Sequence, residues 1–158
     1  MYKITVQRAV KNAAIPTSIQ LRRWIKHALK RRVKTAELTL RITGKKEMTE
    51  LNTTYRHKTG PTNVLSFPFS TPTDIEMETP FLGDVVICAE VVNEEAVTQK
   101  KSKEAHWAHI VVHGTLHLLG YDHEIEADAA VMEAQEVEIL QSLGFTNPYH
   151  VTEKRKKS

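Results

Sequence analysis

Residues 113–123 read HGTLHLLGYDH and set three histidines at the end of an otherwise apolar helical stretch. No other segment constrains the chain as strongly. His113 and His117 stand four residues apart, so on a helix they project from one face, a turn from each other. A straight helix cannot supply a third ligand at a tetrahedral angle. Gly120 resolves this, since glycine takes the left-handed conformation that ends helices, and Tyr121 and Asp122 then lead the returning chain to His123. Three neutral nitrogen donors with no fourth ligand nearby fit a catalytic zinc site, where water or substrate takes the open position. Zn2+ is the expected ion, although iron or nickel suits similar donors. The bland alternative, three histidines packed or exposed for separate reasons, suits the spacing less well. His106 and His109 fall near the same face but earlier on the helix. They are expected to pack or to donate hydrogen bonds behind the ligands, with a substrate contact left open.

The histidines and glycine match the metallopeptidase pattern HExxHxxGxxH, so the helix is zincin-like. The position after the first histidine is Gly114, however, where peptidases carry the glutamate that acts as general base. Peptide hydrolysis by that route is therefore disfavoured.

Charge is distributed unevenly. Residues 1–36 contain ten of the 22 lysines and arginines and no acid, and all 19 acidic residues lie from Glu37 onward. Four more basic residues, Lys154 to Lys157, close the sequence. Such separation suggests a positive surface that attracts phosphate backbones, against the plainer reading of a solubilising face and a frayed tail. Cys88 is the only cysteine, which excludes an internal disulfide and cysteine-based zinc sites. Neither a signal-peptide run nor a membrane-length apolar stretch is present, so the expectation is a cytoplasmic protein without a membrane partner. At 158 residues, one domain over 1–158 is expected, with 151–158 a flexible basic tail.

Periodicity predicts a strand at 2–7, a helix from Thr17 to about Lys34, a strand at 36–43 and a short helix at 46–57. Strands follow at 62–69 and 82–92, with Pro68 marking an edge or strand end. The polar stretch between them, STPTDIEMETP, reads as a mobile loop. Helices follow from about Asn93, with a break near Lys101 and Ser102, then Lys103–Leu119 and Glu124–Leu143. The fold class is α+β: a small mixed β-sheet packed by helices.

Taken with LNTTYRHKTGPTNVLSFPF at 51–69 and LGDVVIC at 82–88, the histidine motif resembles the YbeY family of bacterial metal-dependent endoribonucleases. The resemblance implies zinc at His113, His117 and His123. It further implies cleavage of single-stranded RNA in 16S rRNA 3′-end maturation and in ribosome quality control. Partners implied are the 16S rRNA precursor, the ribosome, a ribosomal protein and a ribosome-associated GTPase. Arg56, in YRHK, matches a family arginine implicated in activity, and its guanidinium suits bidentate phosphate binding. Lys58 and Lys45 are weaker candidates for backbone contacts. Asn63 and Ser66 are candidates for substrate hydrogen bonds or for turn and strand roles. Asp84 could orient a ligand or activate water, or equally serve an ordinary turn or strand start, and Asp122 could support a histidine or cap the next helix. The competing functions are a metallopeptidase-like hydrolase with an unusual base and a non-catalytic ribosome-assembly factor with a structural metal.

Overall fold

A computed structural model describes residues 1–11, 13–69, 79–121 and 126–149. Its strands are β1 (Tyr2–Arg8), β2 (Ala36–Thr43), β3 (Val64–Pro68) and β4 (Phe81–Cys88). Its helices are α1 (Ser18–Leu29), α2 (Lys45–Arg56), α3 (Ala89–Thr98), α4 (Lys103–Leu118) and α5 (Glu126–Ser142). The sheet order is β1-β2-β4-β3, parallel except for the antiparallel β3–β4 pair. This is the mixed sheet expected of the α+β class. Pro68 closes β3, an edge strand, where the missing amide hydrogen breaks no ladder.

Two apolar layers form because strand side chains alternate between faces. Leu38, Leu40 and Ile42 of β2 and Val85 and Ile87 of β4 point into a core shared with α1 and α4. Val86 and Cys88 point the other way and pack with Leu65 and with Met48 of α2. α1 opens with a capping box: the Thr17 hydroxyl accepts from the Gln20 amide, and the Gln20 side chain accepts from the Thr17 amide. No described helix is long and apolar enough to cross a membrane.

Two boundaries differ from expectation. The strand expected over 82–92 stops at Cys88, and Ala89–Thr98 is helical. The cause is loss of partners: β2 pairs with β4 only as far as Thr43, and the Cys88 amide makes its bond to the Asn63 carbonyl at the turn before β3. Val92 then serves the core from a helix instead of a strand. α1 ends at Leu29 rather than near Lys34. Arg31 takes φ 73°, and the Arg32 and Val33 amides both bond the Leu29 carbonyl, turning the chain toward β2. The stretch 70–78, the segment 122–125 with the expected start of the last helix, and the tail 150–158 lie outside the described residues.

α4 is the helix around which the others gather, touching α1, α3, α5, β3 and β4. A helix that is apolar nearly all round must be covered nearly all round. Along its final turns, Val111, Val112, Gly114, Thr115, Leu116 and Leu118 are buried, while His113 and His117 are only half-buried. Gly114 sets how closely α4 lies on the sheet. A Cβ there would stand 2.7 Å from Val85 Cγ1 and 3.2 Å from Val64 Cγ2. The Ser66 hydroxyl donates to the Gly114 carbonyl at 2.9 Å, stitching β3 to the helix at the same level. Gly114→Ala is therefore expected to destabilise the fold by about 1–3 kcal/mol through overpacking. Thermal or denaturant unfolding checks this; an unchanged transition would mean that α4 does not bear on the sheet here.

Candidate metal centre

The half-open strip on α4 faces a cleft of about 270 Å³. His113 and His117 line it together with Arg56 and Lys58 from the end of α2 and its following loop, and with Asn63 and Ser66 around β3. Local structure explains how Arg56 reaches a helix so distant in sequence. α2 ends at Arg56 because His57 takes the left-handed conformation, φ 55°, and the Lys58 amide returns to the Asn52 carbonyl. Asn52, only 4% exposed, donates from Nδ2 to the Gly60 carbonyl at 2.9 Å and fixes the reversal. Arg56 is left exposed and lines the cleft instead of entering the core.

The His113 and His117 rings lie with centroids 4.7 Å apart and planes at 77°. Helical spacing thus brings the two imidazoles together as expected. His123, the expected third ligand, and Asp122 lie outside the described residues. Among the described residues no group of three or more His, Cys, Asp or Glu side chains could hold a metal ion.

Behind His113 stands a carboxylate that the sequence pattern alone does not assign. Glu136 of α5 is 1% exposed and accepts from His113 Nδ1 at 2.6 Å and from His109 Nε2 at 2.8 Å. The Tyr149 hydroxyl also donates to it. Burial pushes the Glu136 carboxyl up, but the hydrogen bonds from His109 and His113 outweigh it and hold the group well below the usual carboxylate range. Burial, then the bond to Glu136, pushes the Tyr149 phenol up. With Nδ1 occupied by the carboxylate, Nε2 is the nitrogen of His113 that a cation would take. Carboxylate–imidazole pairs of this kind fix the tautomer and orientation of metal ligands. One signal was legible: α5 buries Met132, Glu136, Ile139 and Leu140 as a single stripe, and an acid within an apolar stripe needs a partner.

His106 and His109 are hydrogen-bonding residues behind the cleft, not members of its lining. His106 Nε2 meets Glu95 Oε1 at 2.9 Å, and His109 meets Glu136. Their Nδ1 atoms are buried with no partner among the described residues, so each ring carries its proton on the nitrogen facing the carboxylate. Other candidates separate by location. Lys45 is tied to Glu94 at 2.8 Å, away from the cleft. Ser66 serves the β3–α4 stitch. Asp84 lies on the opposite face of the sheet, in a cleft of about 510 Å³ with Arg41 and Glu47. That cleft is larger but chemically quieter, because Arg41 is already held by Glu47 at 2.7 and 2.8 Å. Of the two roles open to Asp84, the strand role is the one its place fits: strand alternation turns it from α4.

Glu136→Gln keeps the shape and removes the charge behind His113. It is expected to weaken metal retention by roughly 10–100-fold, measured by competition with a chelator. Unaltered retention would show that His113 needs no such support.

The family model described as Endoribonuclease YbeY matches residues 5–144. A protein of Nitrosococcus oceani named Endoribonuclease YbeY is 50% identical over 146 residues, covering 92% of this chain and 95% of its own. The solution structure of TM1509 from Thermotoga maritima shares the fold, with a TM-score of 0.56 at 23% identity over 90% of this chain and 91% of that one. A match along nearly the whole sequence, to the family model and to a relative half identical, means that the chain belongs to the YbeY family of endoribonucleases.

Proposed function

We propose that this protein is a metal-dependent, single-strand-specific endoribonuclease of one domain, acting in the cytoplasm in 16S rRNA 3′-end maturation and ribosome quality control. The carrying observation is that Arg56 at the end of α2 and His113 and His117 on α4 line one cleft. The proposed partners are single-stranded RNA, the 16S rRNA precursor and the ribosome, with a ribosomal protein and a ribosome-associated GTPase.

Zn2+ is the proposed cofactor, held by His113, His117 and His123. The fit rests on the donor set: two imidazoles on one helix face, the first backed by a buried carboxylate. When bound, such an ion supplies Lewis acidity toward water and a phosphoryl oxygen. Arg56 clamps the non-bridging phosphate oxygens and offsets the charge that grows on them as the bond breaks. Lys58 adds a second cation beside the same strand. Glu136 keeps the His113 ring from rotating, and the stitch between Ser66 and Gly114 fixes α4 against the strand that lines the cleft.

The peptidase reading loses ground at Gly114, where even a Cβ would meet Val85 at 2.7 Å, so no base can sit at that position without moving the helix. The assembly-factor reading predicts no turnover. Product ends separate the two routes of cleavage: a 2′,3′-cyclic phosphate marks attack by the neighbouring hydroxyl, a linear phosphate marks attack by water.

Arg56→Ala is expected to keep its metal and lose roughly 10²-fold or more in RNA cleavage, whereas His113→Ala loses both. Metal analysis and cleavage by nuclease-free preparations check this, and full cleavage by both variants would remove the site. Arg23 and Lys26 stand exposed on α1, with Lys30 and Arg31 just beyond its end. RNA affinity is accordingly expected to fall with salt, and each basic side chain that neutralises a phosphate should account for about 0.7 of the logarithmic slope. A slope unchanged in Lys26→Ala/Lys30→Ala would exclude α1 from binding.

A further inference from the structure

Asn63 lines the histidine cleft, and its amide is held from behind. Its Nδ2 donates to both oxygens of Glu95, at 3.2 and 3.4 Å. Glu95 is held in turn by His106, a nearly buried ring whose Nε2 lies 2.9 Å from Oε1. Burial raises the Glu95 carboxyl, but the hydrogen bonds from His106 and Asn63 prevail and leave it below its ordinary value, hence ionised. A carboxylate accepts and cannot donate. The amide therefore cannot flip, since Oδ1 would then face two negative oxygens. Nor can the residue swing away easily, because its backbone carbonyl accepts the Cys88 amide at 2.9 Å. Oδ1 makes no hydrogen bond among the described residues and is not sealed from solvent. The cleft thus contains one fixed, uncommitted acceptor beside two cations, Arg56 and Lys58.

An acceptor next to a phosphate clamp needs a donor that accompanies every phosphate. The phosphodiester has none, and the base amines vary with sequence. The ribose 2′-hydroxyl is present at every step of an RNA strand and absent from DNA. Resting on the endoribonuclease reading above, we infer that Asn63 accepts a hydrogen bond from a substrate 2′-hydroxyl and is the residue by which this cleft prefers RNA to DNA, with Glu95 and His106 as its positioning residues.

The test is an initial-rate competition against cleavage of a labelled RNA. Three unlabelled strands of one sequence in uracil bases serve as competitors: ribose, 2′-deoxy and 2′-fluoro, the last retaining ribose-like pucker without a donor. In the wild type the ribose strand is expected to compete about 3- to 10-fold better than either of the others, as one hydrogen bond implies. Asn63→Ala is expected to bring all three together by weakening the ribose strand alone. Glu95→Gln, which leaves Asn63 in place but frees its amide to flip, is expected to give an intermediate ratio with a similar melting temperature. A 2′-fluoro strand as effective as ribose would overturn the inference, since pucker would then be what is read. An Asn63→Ala variant that weakens all three strands equally would do so too, assigning the residue a structural role. Failure of the wild type to cleave the labelled RNA at all would instead remove the endoribonuclease reading, and this inference with it, before any competitor is added.

Discussion

A carboxylate buried to 1% exposure, with two imidazoles and a phenol around it, is the interaction on which the rest of this molecule turns. An uncompensated charge at that depth would cost several kcal/mol. Glu136 remains ionised because the hydrogen bonds from His109 and His113 outweigh its burial. The same hydrogen bonds tie α5 to α4 and hold the first cleft histidine in one orientation. Stability alone would be served as well by a leucine in that stripe. On the proposed metal-binding reading, the arrangement is the support of a ligand that must not rotate.

The sheet performs the complementary task. Gly114 lets α4 lie on Val64 and Val85, and Ser66 fastens the helix at that level, so the half-open strip of α4 lies along edge strand β3. On the other side of β3, the left-handed residue His57 turns the chain after α2 and leaves Arg56 at the rim. Two helices packed on opposite faces of one sheet thus contribute to a single cleft around its edge. Neither carries the full set of groups, and the short strand between them sets their spacing.

How much of this the sequence disclosed depended on range. The central helix, its half-exposed histidine pair and its glycine stop followed from local spacing, as did β2, whose apolar and polar residues alternate without interruption. The end of β4 did not, because Val91 and Val92 suit either a strand or a helix and the decision came from where β2 and β3 stop offering partners. Arg56 was recognisable only through family resemblance, for nothing local says that the end of α2 arrives beside α4. Glu136 was missed because its histidine partners are 23 and 27 residues away, although its place in an apolar stripe hinted at it. Asp84 stood between a site role and a strand role because its type suited the chemistry, and strand alternation, visible in LGDVVIC, turns it away from the histidines.

The central claim is that the imidazoles of this chain hold one cation and leave it a place for substrate. X-ray absorption on the zinc-loaded protein addresses it most directly. The account predicts nitrogen ligands at about 2.0–2.1 Å with multiple-scattering features of three imidazoles, plus one light atom that cyanide or phosphate displaces. A shell closed by four protein ligands, or one unaltered in His113→Ala, would contradict it.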